Sequence, residues 1–342
     1  MSESRPWLIV MNSSLEFGKR VAEHVGEDII PHEERDFEDG EHKVRPLASV
    51  RNHDVFVIDS LHADASNSVN DKLCKLLFLV GALRDASAAR VTAVVPYLCY
   101  SRKDRKTKPR DPVTTRYVAR MFEVVGTNHI LTMDVHNLAA YQNAFGTTST
   151  DHLEAMNLFV DHFSRLPGSS ELAVISPDLG GIKRAEMCRE ALQQKIGREV
   201  TVGFLQKQRS EGVVTMGAFV GDVKDRTVII LDDLISSGTT LSRAASACRD
   251  AGAKVIYGAA THGIFSGNAE SVLEESAIDR IVVTDTVPPW RLSKSFIASR
   301  LIVLDTAPLF ASAIQCVSWG ESIVSLQQSP SRCKHFAAAA QT

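Results

Sequence analysis

The chain has 342 residues, too many for one ordinary core and enough for two domains. Its 44% hydrophobic and 23% charged content is that of a soluble globular protein, and a formal net charge of −3 argues against a nucleic-acid surface as its main purpose. The six cysteines (Cys74, Cys99, Cys188, Cys248, Cys316 and Cys333) include no CxxC pair, which favours reduced thiols in a cytosol over a disulfide framework or a zinc site.

The chain opens MSESRPWLIVMN, where the apolar run is only a few residues long, so no signal peptide is expected. No stretch approaches the roughly 18 apolar residues of a membrane span, and the expectation is a cytoplasmic protein without a membrane partner. Nine short apolar runs then follow: WLIVM (7–11), VFVID (55–59), VTAVVPY (91–97), HILTMDVH (129–136), LAVISPD (172–178), TVIILDD (227–233), KVIYGAATH (254–262), RIVVTDT (280–286) and LIVLDT (301–306). They are continuous and β-branched rather than alternating, as parallel strands covered on both faces are. Between them, 70–86 and 241–251 carry apolar residues at helical spacing, so the pattern predicts α/β units and a mostly parallel sheet. The segment DHLEAMNLFVDHFSRLPGSS (151–170) reads as a helix and a turn, placing a domain boundary near 150–168. ALRDASAARVTAVVPY (82–97) and ACRDAGAKVIYGAATH (247–262) echo each other with a one-residue gap, as two domains of one design would.

Ligands of an open parallel sheet bind beyond the carboxyl ends of its strands, so the strand ends carry the candidates. The run TVIILDD enters LISSGTT and then a helix, pairing Asp232 and Asp233 with Ser236, Ser237, Gly238, Thr239 and Thr240. The small residues suit a phosphate at a helix N-terminus, and the acids suit ribose hydroxyls or a hydrated cation. A sugar phosphate satisfies both halves; an ordinary turn with a serine N-cap is the alternative. After the strand at 91–97 comes a basic run with Arg102, Lys103, Arg105, Lys106, Lys108 and Arg110, either a polyphosphate clamp or a solvated face. In MDVH, Asp134 and His136 lie two apart, on one side of an extended strand, where both could approach one metal or phosphate. Lys207 and Arg209 end a strand-like run, either on a flexible loop closing over a phosphoryl group or in a solvent-facing hairpin.

Over residues 7–328 the chain resembles the ribose-phosphate pyrophosphokinases, through FEDGE (37–41), SRKDRK (101–106), LTMDVH (131–136), SPDLGGIKRA (176–185), KQR (207–209), GDVKDRTVIILDDLISSGTT (221–240), THGIFSGNA (261–269), VVTDTVP (282–288) and GES (320–322). The resemblance implies two phosphoribosyltransferase-like α/β domains, each a mostly parallel sheet flanked by helices. The first would span 1–155 on the ATP side, completed by a C-terminal helix 308–328; the second would span 156–307 on the ribose 5-phosphate side, with a tail at 329–342. It implies transfer of diphosphate from MgATP to the anomeric hydroxyl of ribose 5-phosphate, by a cytoplasmic homodimer or homohexamer. Asp232 and Asp233 would hold the ribose diol and Ser236–Thr240 the 5-phosphate. Arg102, Lys103 and Asp104 would bind ATP, with Phe37, Asp39 and Glu41 receiving adenine across a subunit interface. His136 and Asp134 would serve the Mg2+ of ATP and Asp178, near the sugar, a second metal, while Lys207 and Arg209, with His136, would serve the catalysis.

Ser236, Thr239 and Lys103 depart from the commonest family pattern, and the loop is then more similar to those of plant class II or archaeal members, leaving regulation by phosphate and ADP open. A catalytically silent regulatory homologue would be expected to lack Lys207, Arg209 or His136, all present. A phosphoribosyltransferase would need neither FEDGE nor SRKDRK.

Overall fold

The structure, a computed structural model, describes residues 5–167, 171–210, 213–324 and 326, with the backbone alone for 206–210 and 213–218. The expected tail 329–342 lies outside these residues. The chain divides into two compact units, one running to Glu154 and resumed at Thr306, the other Ala155–Asp305.

The first unit runs β1 (Trp7–Val10), α1 (Leu15–Val25), a hairpin of β2 (His32–Asp36) and β3 (His42–Pro46), β4 (Asp54–Ile58), α2 (Val69–Asp85), β5 (Arg90–Val95), α3 (Thr114–Val124), β6 (His129–Met133), α4 (Leu138–Gln142) and β7 (Ser149–Leu153). Its five-stranded sheet has the order β1-β4-β5-β6-β7, parallel throughout. The second unit runs α5 (Met156–Phe163), β8 (Leu172–Ser176), α6 (Ile182–Ile196), a hairpin of β9 (Val200–Ser210) and β10 (Val213–Val220), β11 (Thr227–Ile235), α7 (Thr239–Asp250), β12 (Val255–Gly263), α8 (Ala269–Glu274), β13 (Arg280–Thr284), α9 (Lys294–Arg300) and β14 (Leu301–Leu304). Its sheet has the order β10-β9-β8-β11-β12-β13-β14, with only β10 antiparallel. The chain ends its described part in the first unit with α10 (Ala307–Trp319), where Phe310 meets Phe17 of α1 edge-on at 5.7 Å.

All nine apolar runs form strands, and their continuity has the expected cause: β4, β6 and β8 are buried at every position. Each Val, Leu or Ile so buried contributes about 1.5–3 kcal/mol. The echo is structural as well. Arg84 Nη1 donates to the carbonyls of Ala88 (3.1 Å) and Ala89 (3.3 Å), while the Val91 N–H donates to Asn128 Oδ1 (2.8 Å). Arg249 Nη1 donates to Ala253 (3.0 Å) and Lys254 (2.8 Å), while the Ile256 N–H donates to Asp279 Oδ2 (2.7 Å). Arg84 and Arg249, Ala88 and Ala253, Val91 and Ile256 all keep an offset of 165, so the one-residue gap is not needed. The same helix-to-strand joint is built twice.

Two local expectations change. Residues 149–153 are not helical but pair as the edge strand β7, with His129 Nε2 of β6 3.0 Å from Asp151; helix begins only at Met156. The helix expected over 308–328 ends at Trp319, because Gly320 turns left-handed (φ 74°) and caps it.

Candidate active site

In the second sheet the chain leaves β8 toward β9 on one side and toward β11 and β12 on the other, so the winding direction reverses between β8 and β11. Such a reversal opens a crevice at the carboxyl ends of the two strands. Asp178 lies just past β8, and its Oδ1 accepts from the N–H groups of Gly180 (3.0 Å) and Gly181 (3.3 Å), which fixes the carboxylate at the turn into α6. Asp232 and Asp233 stand near the end of β11, which continues two residues past the apolar run, to Ile235. Asp233 is buried, its N–H donates to Asp232 Oδ1 (2.9 Å), and Arg184 Nη1 of α6 lies 3.5 Å from Oδ1 of each acid. Burial, and then the neighbouring Asp233 carboxylate, push Asp232 up to about 7, against the opposing pull of Arg184.

The turn that follows settles how α7 begins. Gly238 is its N-cap, left-handed at φ 77°, and no side chain caps the helix, so the serine-capped turn is not formed. Glycine is required twice here: a Cβ would need the left-handed region and would sit 2.9 Å from Leu273 Cγ. Around it Ser236 Oγ meets Ser266 Oγ at 2.8 Å, Ser237 Oγ meets Thr239 Oγ1 at 3.1 Å, and Thr240 is exposed. A hydroxyl-lined turn at an uncapped helix N-terminus thus adjoins two carboxylates, which can accept hydrogen bonds from a diol while the turn donates to an anion.

Lys207 and Arg209 are placed by backbone only. They face Met216 and Val214 across the antiparallel β9–β10 pair; their side chains lie outside the described residues.

The remaining candidates belong to the first unit. Arg102 is exposed, whereas Lys103 is engaged: Asp111 Oδ2 accepts from Lys103 Nζ (2.6 Å), Thr107 Oγ1 (2.8 Å) and the N–H groups of Thr107 and Lys108. These bonds, the lysine first, hold the Asp111 carboxyl far below its usual range. Asp104 accepts from Asn137 Nδ2 at 2.7 Å, which joins the basic loop to the segment following β6. In that segment β6 ends at Met133 and Asp134 is left-handed (φ 36°). The extended strand that the spacing presumed therefore stops before this pair; Asp134 is half-buried, Val135 buried and His136 exposed. Phe37, Asp39 and Glu41 form the β2–β3 turn, closed by Phe37 N–H to Glu41 O (2.9 Å) and Glu41 N–H to Asp39 Oδ1 (3.1 Å). This turn is tied to α2 by Lys75–Asp36 (2.8 Å) and His42–Asp71 (3.3 Å) rather than to the other candidates.

Among the described residues no three His, Cys, Asp or Glu side chains gather into a metal cage. Of the expected metal-binding residues, Asp134 and His136 lie in the first unit and Asp178 in the second. Sequence reasoning did not single out Arg184, Asn137 or Asp111; Arg184 lies inside SPDLGGIKRA, where a cation in the first turn of a helix is itself a signal. Among the described residues no helix is long and apolar enough to cross a membrane.

Paired α/β units, one with an acidic and hydroxyl-lined switch point, define an α/β enzyme of phosphoribosyltransferase-like design. Residues 7–126 match the family described as the N-terminal domain of ribose phosphate pyrophosphokinase, and 193–328 match the phosphoribosyl synthetase-associated domain. The chain is 37% identical to a ribose-phosphate pyrophosphokinase of Caldanaerobacter subterraneus subsp. tengcongensis over 92% of its own length and 95% of the relative's. The enzyme of that name from Fusobacterium nucleatum is 34% identical, over 92% and 96%. The crystal structure of phosphoribosylpyrophosphate synthetase from Mycobacterium smegmatis matches with a TM-score of 0.81 at 32% identity, covering 92% of this chain and 98% of that one. The chain belongs to the ribose-phosphate pyrophosphokinase family.

Proposed function

We propose that this chain is a cytoplasmic ribose-phosphate diphosphokinase that makes phosphoribosyl pyrophosphate and AMP from ribose 5-phosphate and MgATP. The observation that carries the reading is the switch point of the second unit, where Asp232 and Asp233 adjoin the uncapped, hydroxyl-lined start of α7. The two acids accept the ribose 2- and 3-hydroxyls. Ser236, Ser237, Thr239 and Thr240, with the N–H groups around Gly238, take the 5-phosphate. The anomeric oxygen attacks the β-phosphorus of ATP as the bond from that phosphorus to the bridging oxygen of AMP breaks. The hydroxyl proton passes to solvent.

Such a transfer depends on positioning and charge neutralisation more than on covalent chemistry. Arg102, Lys103 and Asp104 hold the triphosphate, and Lys207 and Arg209 stabilise charge growing on it. Phe37, Asp39 and Glu41 receive adenine from a second copy in a homodimer or homohexamer. Asp134 and His136 are the groups that would hold the Mg2+ of ATP, and Asp178 a second metal near the sugar; when bound, the cation supplies Lewis-acid neutralisation of the phosphate oxygens.

The test is product formation from ribose 5-phosphate and MgATP, with and without inorganic phosphate. AMP and phosphoribosyl pyrophosphate should appear one-to-one, and Lys207→Ala should lower kcat by about a hundredfold or more. ATP binding with no turnover would instead assign a silent regulatory homologue.

A further inference from the structure

Arg184 lies in the first turn of α6, beside Lys183 and with no acidic residue in that turn. Positive charge there opposes the helix dipole, so the position is locally unfavourable and needs a compensating partner. The partner is the acid pair: Nη1 lies 3.5 Å from Asp232 Oδ1 and 3.5 Å from Asp233 Oδ1. We propose that Arg184 is a positioning residue for ribose 5-phosphate, its guanidinium drawing Asp232 and Asp233 into place as acceptors for the two ring hydroxyls.

This rests on the proposed function of the same site and goes further in assigning sugar selectivity to a residue that does not touch the sugar. Adjacent carboxylates repel, and burial adds to the cost of ionising both. Once one takes a proton, it loses the charge that strengthens a hydrogen bond from a hydroxyl. Arg184 opposes that cost at Asp232, where its charge favours the ionised form. From the other elements packed on β11, His262 of β12 bonds Thr286 through Nδ1 (2.9 Å), Asp178 after β8 is bound to its own turn, and Arg243, the first charged residue of α7, is exposed.

The experiment compares the wild type with Arg184→Gln and Arg184→Lys, using ribose 5-phosphate and 2-deoxyribose 5-phosphate at saturating MgATP across pH 5.5–9. Removing the cation raises the pKa of the pair, so the acid limb of kcat/KM should move up by about one pH unit in Arg184→Gln. The preference for ribose over deoxyribose should fall about tenfold, since the hydroxyl that distinguishes them has lost its charged acceptor. KM for ATP should stay as it was. Arg184→Lys, which keeps the charge, should retain the limb and the preference to within about threefold; it carries the test alone if the glutamine variant does not fold.

An unmoved limb overturns the proposal. So does an equal rise in KM for both sugars, which would place Arg184 on their shared phosphate, and so does a normally melting lysine variant that has lost both properties. Calorimetric titration of the wild type with ribose 5-phosphate separates the two levels. No binding there overturns the functional reading and this role with it, whereas normal wild-type turnover with an unmoved limb in Arg184→Gln overturns the role alone.

Discussion

Gly238→Ala tests whether the turn before α7 is built as described. At φ 77° the alanine pays the left-handed penalty of about 1–2 kcal/mol. Its Cβ also falls 2.9 Å from Cγ and 3.0 Å from Cδ2 of Leu273, a side chain only 1% exposed that has little room to withdraw. Overpacking of this kind costs about 1–3 kcal/mol, so the sum is about 2–5 kcal/mol. For a unit of this size that corresponds to a fall in Tm of roughly 5–15 °C. Urea and thermal unfolding measure the loss, and KM for ribose 5-phosphate should rise in the same variant because the hydroxyls move with the turn. The steric share is isolated by a cycle with Leu273→Ala: the double variant should be more stable than the two single losses predict, by about 1–3 kcal/mol. A Gly238→Ala protein that melts within a degree of the wild type and binds ribose 5-phosphate unchanged would refute the geometry. A cycle with no coupling would leave the backbone conformation as the sole reason for glycine.

Two further outcomes are expected in the first unit. Asp59 is fully buried, with Oδ1 taking the hydroxyls of Ser13 (2.8 Å) and Ser14 (2.7 Å), and burial raises it from 3.8 to about 6. A raised carboxyl binds its proton more tightly folded than unfolded, so its contribution is present below about pH 4 and is lost as pH rises through about 6. Asp59→Asn should therefore gain on the wild type by up to about 3 kcal/mol between pH 4 and 7, read from paired melts; a difference that does not change with pH contradicts this. Asp111→Ala removes the acceptor that gathers Lys103, Thr107 and Lys108. Loosening this exposed loop should raise KM for ATP roughly threefold to tenfold with no change in Tm or in KM for ribose 5-phosphate, and an unaltered KM for ATP would separate the loop from the nucleotide.

The nine strands were legible because a strand buried on both faces leaves a continuous apolar run, as VFVID and HILTM do. The β2 and β3 arms were not, because HEERD and HKVRP carry no apolar alternation and are held by Glu33–Lys43 (3.6 Å), His42–Asp36 (2.8 Å) and contacts to α2. The acid pair and the small residues after it were legible as chemistry, since acids and hydroxyls at a strand end have few other uses. The backbone at Asp134 and His136 was not legible, because their spacing presumes an extended strand whereas β6 ends at Met133 and Asp134 is left-handed. Arg184 was silent for a different reason: it lies 49 residues from Asp233, and only the pairing of β8 with β11 brings α6 over the acids.

The twice-built fold offers one such site, and the loops decide which. After β4 the chain takes ten residues to reach α2, whose first turn is closed by a capping box in which Ser68 and Asp71 satisfy each other's N–H groups at 2.7 and 3.2 Å. The polar groups beyond β1 and β4 consume one another: Ser13 and Ser14 bind Asp59, the Ser60 N–H binds Ser14 Oγ (3.0 Å), and buried Lys72 pairs with Asp64 (3.0 Å). After β11 only three residues precede α7, and its N-cap is a glycine with no side chain to offer. The donors that α2 spends internally therefore stay at the surface of the crevice in α7, next to the acids that Arg184 approaches. A capped helix after a long connection gives a stable turn, and an uncapped one after a short connection gives an anion site, from one and the same topology.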